Sequence, residues 1–187
     1  MSPPPVDQGT RVEVGVVAAV VIGCGLLLAR PALRSGPAPV LVLASLYLAL
    51  LVAGVALRPH VGRFLPGREA GPVLGLGIAA FVFGRAVAGG RPTPWVVDAV
   101  ALDVMAAIAE EAFFRRFVYD ALLVAGESTA VTGSALLFAL VHVPVYGWWV
   151  VPLDLAAGLV LSWQRWATGS WGVPAATHAA ANVLMRL

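Results

Sequence analysis

Four charges, Glu110, Glu111, Arg115 and Arg116, fall within seven residues of the stretch MAAIAEEAFFRRFVYDALLVAG, which otherwise reads as apolar helix. No other feature constrains the fold as much. In a bilayer an ionisable side chain is costly, faces protein rather than lipid, and marks a functional site by default. A helix carrying four of them must be enclosed by other helices. Composition places the chain in a bilayer: 60% of residues are hydrophobic, 12% are charged and mean hydropathy is +0.89. Soluble domains are roughly a quarter charged. The expected fold is therefore all-α, a polytopic membrane helical bundle of about seven helices around an intramembrane polar cavity.

The remaining charges exclude other classes. All twelve basic residues are arginine, net charge is +2, and the arginines sit at segment ends as membrane flanks. They form no basic stripe, so no nucleic acid partner is expected. The bias toward Arg, Ala, Val and Gly is that of a high-GC genome, which points to a bacterial cytoplasmic membrane. A single cysteine, Cys24, permits no disulfide within the chain.

Residues 1–11 are Pro-rich and polar and read as a disordered tail. Residues 12–187 read as one transmembrane domain, with its functional core expected over 95–187, the part that holds the charged stretch. Val12 to Ala29 is just long enough to span, and it reads as a retained helix because Asp7 and Glu13 spoil a signal-peptide n-region. Arg30, Pro31 and Arg34 close it. Val40 to Leu57 and Val73 to Ala88 follow, the latter with Gly75, Gly77 and Gly84 allowing close helix approach. A long helix is expected from Trp95 to Ala125, stopped by Gly126. Then come Thr129 to Val143, Val145 to Trp166 with tryptophans at both ends, and Trp171 to Leu187.

Of the three histidines, His60 lies in a basic loop and reads as solvated, whereas His142 and His178 lie in separate apolar helices. Positions four apart share a helix face. Glu111 therefore stacks with Arg115, Phe138 with His142, and His178 with Asn182. Glu110 points about 100° round from Glu111. A division of labour follows: one carboxylate pairs with arginine, and the other is free to meet an imidazole and a water. A buried glutamate beside histidine suits a general base. A second histidine with an amide can donate to an oxyanion. Taken singly, each histidine also reads as core packing, the Glu111–Arg115 pair as a structural brace, and Phe138 as core. Asp98, Asp103, Asp120 and Asp154 read as helix ends or interfaces.

Glu110-Glu111-x-x-x-Arg115, Phe138-x-x-x-His142 and His178-x-x-x-Asn182 resemble, in order, the three motifs of the CAAX protease and bacteriocin-processing (Abi) family of intramembrane endopeptidases. The pair Phe113-Phe114 and the run SWGVPAATHAAAN strengthen the resemblance, which covers residues 95 to 187. It implies a glutamate-type peptide hydrolase with Glu110 as base, His142 as its partner, and His178 and Asn182 as oxyanion binders. Glu111, Arg115 and Phe138 would support the site. The implied substrate is a membrane-associated or tail-anchored protein or peptide; a bacterial source favours a membrane-anchored peptide over a prenylated tail.

Glu110, His142 and His178 could also form a three-ligand zinc site with one open position. The chain has no HExxH, and the metal-free, cofactor-free reading is preferred. Two other classes stay open: a non-catalytic scaffold or bacteriocin-immunity protein, and a small proton-coupled transporter. A proton relay has no need of the Asn182 amide, whereas an acyl-transfer site does.

Overall fold

A computed structural model describes residues 8–57, 69–88 and 95–186, with side chains from residue 14 onward. All regular structure among these residues is helical. The helices are α1 (Gln8–Leu28), α2 (Arg30–Arg34), α3 (Pro39–Ala56), α4 (Ala70–Ala88), α5 (Val97–Glu111), α6 (Tyr119–Leu122), α7 (Glu127–Leu140), α8 (Val143–Tyr146), α9 (Val151–Thr168) and α10 (Gly172–Leu184). Residues 1–7, most of the expected tail, lie outside the described residues, as does His60. α1 begins at Gln8, inside the stretch read as tail.

Among the described residues, three helical segments are long and apolar enough to cross a membrane: Pro39–Ala56, Ala70–Val87 and Glu127–Tyr146. Many of their large apolar side chains, among them Leu41, Leu48, Val52, Leu76 and Phe83, point outward. An apolar exterior of this extent is suited to lipid. Prolines open several helices at positions where the missing N–H has no partner to lose: Pro31 in α2, Pro39 in α3 and Pro152 in α9.

The long polar rod is not uniform α-helix. Between α5 and α6 the chain widens into seven residues of π-helix, Ala112–Val118. Such widened turns are rare and are often found at functional sites. The neighbours are shaped to it. Gly54 of α3 lies so close that a Cβ there would meet the Ala112 carbonyl at 2.6 Å. Arg116 Nη1 donates to the Gly54 carbonyl at 2.6 Å. The Phe114 carbonyl accepts from Ser134 Oγ at 2.8 Å, and the Arg115 carbonyl from Arg165 Nε at 2.8 Å. Phe113, Phe114 and Phe117 of this turn fill the core with Leu27, Leu46, Leu50 and Phe138.

α7 and α9 pack closely because a Cβ at Gly158 would already touch the Ala135 backbone at 3.0 Å. Of the four α4 glycines, Gly77 alone has a close neighbour, the Gln164 amide; Gly71, Gly75 and Gly84 face open space among the described residues. Gln164 Nε2 donates to the Val73 carbonyl and to Thr177 Oγ1, both at 2.9 Å, which ties α4, α9 and α10 together. Gly126 ends the rod as expected, with φ of 104°. The segment read as one span from Val145 breaks at Gly147, φ 89°, into α8, a short 3-10 turn and α9.

Candidate active site

The rod places Glu110 and Glu111 on its last α-helical turn, and both are buried. Glu111 Oε1 accepts from Arg115 Nη1 at 3.0 Å and from His178 Nδ1 at 2.9 Å. Arg115 has no solvent exposure; its Nη2 donates to the Gly158 carbonyl at 3.2 Å, and its guanidinium lies 4.4 Å over the Phe138 ring. The expected Glu111–Arg115 pair is present and joins α5, the π-helical turn, α9 and α10.

Glu110 has a different set of partners. Its Oε1 accepts from Arg30 Nη1 at 2.7 Å, a buried contact with a residue at the start of α2. Its Oε2 faces His142 Nε2 at 3.8 Å. That distance exceeds a direct hydrogen bond, which ends near 3.2 Å. His142 Nδ1 donates to the Phe138 carbonyl at 2.8 Å, and because a carbonyl can only accept, the proton sits on Nδ1. A neutral ring would then turn the Nε2 lone pair toward Glu110. An Asp154 oxygen lies 3.5 Å from the same Nδ1 and has no hydrogen-bond partner among the described residues.

This arrangement corrects the expected division of labour. Both carboxylates pair with an arginine, and each meets its own imidazole. What separates them is the gap on the Glu110 side.

The gap opens on a cavity of about 160 Å³, lined on its polar side by Arg30, Arg34, Tyr47, Asp103, Glu110 and Tyr146. A second lobe of about 260 Å³ is walled by Phe81, Phe138, Trp149, Leu161 and Met185. His142, Tyr146, His178 and Asn182 line both lobes. Asn182 Nδ2 donates to the Asp103 carbonyl at 3.1 Å, which aims the amide across the junction. The expected site side chains thus converge: Glu110, His142, His178 and Asn182 on the cavity, Phe138 on the wall of its second lobe, and Glu111 and Arg115 behind them. His142 is not inside a helix, as its spacing implied. α7 ends at Leu140, and His142 occupies the turn before α8. Its ring still lies 4.8 Å from that of Phe138, centroid to centroid.

Sequence reading missed two residues of this site. Arg30 looks like a membrane flank because it ends an apolar run and precedes proline. Asp154 looks like a first-turn helix acid, which it also is. Arg30 left no local signal: the N–H that would meet the Val141 carbonyl in a continued α-helix, that of Val145, goes instead to the His142 carbonyl at 3.0 Å, which only the folded chain shows. Asp103 and Asp120, also read as helix ends, pair with Arg186 and Arg165 away from the gap. Among the described residues no three His, Cys, Asp or Glu side chains are grouped closely enough to hold a metal ion.

One protein family, described as type II CAAX prenyl endopeptidase Rce1-like, matches the chain over residues 91–184. That span holds the glutamate pair, both histidines and Asn182. Comparison with curated proteins and with solved structures yields no match.

Proposed function

Because the chain belongs to the Rce1-like family of type II CAAX prenyl endopeptidases, we propose that it hydrolyses a peptide bond of a membrane-associated protein with a water held between Glu110 and His142. Family membership supports the coarser statement, a CAAX-type protease in the membrane. The finer one is carried by one observation: the 3.8 Å space between Glu110 Oε2 and His142 Nε2, on the wall of a polar cavity.

Two acceptors at that separation fit a single water donating one hydrogen to each. As the water oxygen attacks the scissile carbonyl, its proton passes to Glu110, with His142 holding the other hydrogen in line. The carbonyl oxygen becomes an oxyanion. Asn182 uses one N–H on Asp103 and has a second to offer it. His178 gives Nδ1–H to Glu111, and its charged form would also carry an Nε2–H for the oxyanion. Collapse breaks the C–N bond, and the proton on Glu110 moves to the departing amine. No step calls for a metal. The apolar lobe suits the lipid-like or apolar part of a substrate, and the polar lobe its peptide end.

Mass spectrometry of membrane peptides tests this, comparing cells that carry the active protein with cells that carry Glu110→Gln. A new C-terminus present only with active protein is the expected result and names the substrate. Identical peptide sets, with the variant inserted normally, overturn the proposal.

A further inference from the structure

We propose that Arg30 is the positioning residue of this site, the group that sets the separation of Glu110 and His142. The inference rests on reading that pair as the one that activates water. Arg30 lies 61 positions upstream of residue 91, where the family match begins, and so outside the matched span.

The donors of the Arg30 guanidinium are fixed in one plane. Nε donates to the Leu27 carbonyl at 2.9 Å, on the last turn of α1. Nη1 donates to Glu110 Oε1 at 2.7 Å, and Nη2 to the Val141 carbonyl at 3.0 Å. Val141 immediately precedes His142. One rigid plane thus grips the carboxylate through one arm and the backbone that carries the imidazole through the other. The Leu27 bond anchors that plane to α1.

Two consequences follow. With Oε1 held by Arg30, Oε2 is the oxygen turned to His142. Moreover, the chain around Val141 has just left α7, where carbonyls lack helical partners and a cation is favourable. Without Arg30 the Val141–His142 turn loses the donor that fixes its height against Glu110. His178 is held separately, by Glu111 and through it Arg115, so losing Arg30 should disturb one imidazole and spare the other.

The test uses the full chain in lipid nanodiscs, with 15N-labelled histidine and the variants Arg30→Gln and Arg30→Lys. Only three histidines contribute signals. In Arg30→Gln the His142 ring-nitrogen signals should move while those of His178 stay. Arg30→Lys keeps the charge but not the planar grip, and should fall between. In parallel, cleavage of a prenylated CAAX-terminated peptide is measured per folded molecule. For Arg30→Gln, kcat should fall on the order of 100-fold, the scale of an ångström-sized misplacement, with KM held within about twofold. An unchanged His142 spectrum, or equal movement of both histidines, overturns the inference, as does an unchanged kcat. If the unaltered chain does not cleave the peptide, the proposed function fails for that substrate, and the histidine spectra alone decide the role of Arg30.

Discussion

Glu110 and Glu111 are adjacent, carry the same side chain and have the same kinds of partner, yet their surroundings differ. Glu111 takes its arginine from four positions away and touches its histidine directly, with no solvent exposure at either Glu111 or Arg115. Glu110 takes its arginine from 80 positions upstream and faces its histidine across a space on a cavity wall. Both acids are held through Oε1, but the free Oε2 of Glu111 is sealed inside protein, whereas that of Glu110 faces His142 on the cavity wall, where a reactant can reach it. On the proposed mechanism, that difference gives Glu111 the bracing role and Glu110 the chemistry.

The largest expected effect comes from removing the open acid. Glu110→Gln should lower kcat about a hundredfold to ten-thousandfold, the usual contribution of a general base, while the helical signal and membrane insertion persist. Full activity in this variant would place the base elsewhere. Glu111→Leu should show the reverse balance. It leaves the Arg115 charge buried without its carboxylate, which costs about 3–5 kcal/mol and should appear as a lower denaturation midpoint. Adding Arg115→Met should recover much of that loss. Should Glu111→Leu stay fully stable and lose only cleavage, the brace reading is wrong.

Asp154→Asn probes the far side of His142 and should be milder. The 3.5 Å approach to Nδ1 is long for a hydrogen bond, so about 1 kcal/mol of transition-state stabilisation, roughly fivefold in kcat, is expected. Chelation should have the smallest effect, with the rate in excess EDTA equal to that without it. Loss of activity restored by zinc would replace the metal-free mechanism and make Glu110 a ligand.

Much of the molecule was legible in its sequence. Apolar runs of helical length gave the spans, and Gly126 gave a correct stop, because these depend on residues close in the chain. The four-residue spacing gave the Glu111–Arg115 pair for the same reason. The convergence of Glu110, His142, His178 and Asn182 was legible through resemblance to motifs, since nothing local says that three rods meet. The π-helical turn was not legible. Its carbonyl contacts come from Ser134 and Arg165, and the close approach to it from Gly54, all on other segments.

The sequence alone determined that this protein is a bundle of apolar helices with a few charges at their centre, because burial and periodicity are written residue by residue. It also fixed which acid had an arginine one turn away. Only the tertiary structure decided which histidine each acid meets, that Arg30 turns inward rather than out to the membrane surface, and that one carboxylate oxygen is left facing a gap. Those outcomes depend on how separate helices seat against one another. An arginine at a helix end reads the same in sequence whether it meets lipid headgroups or a buried glutamate.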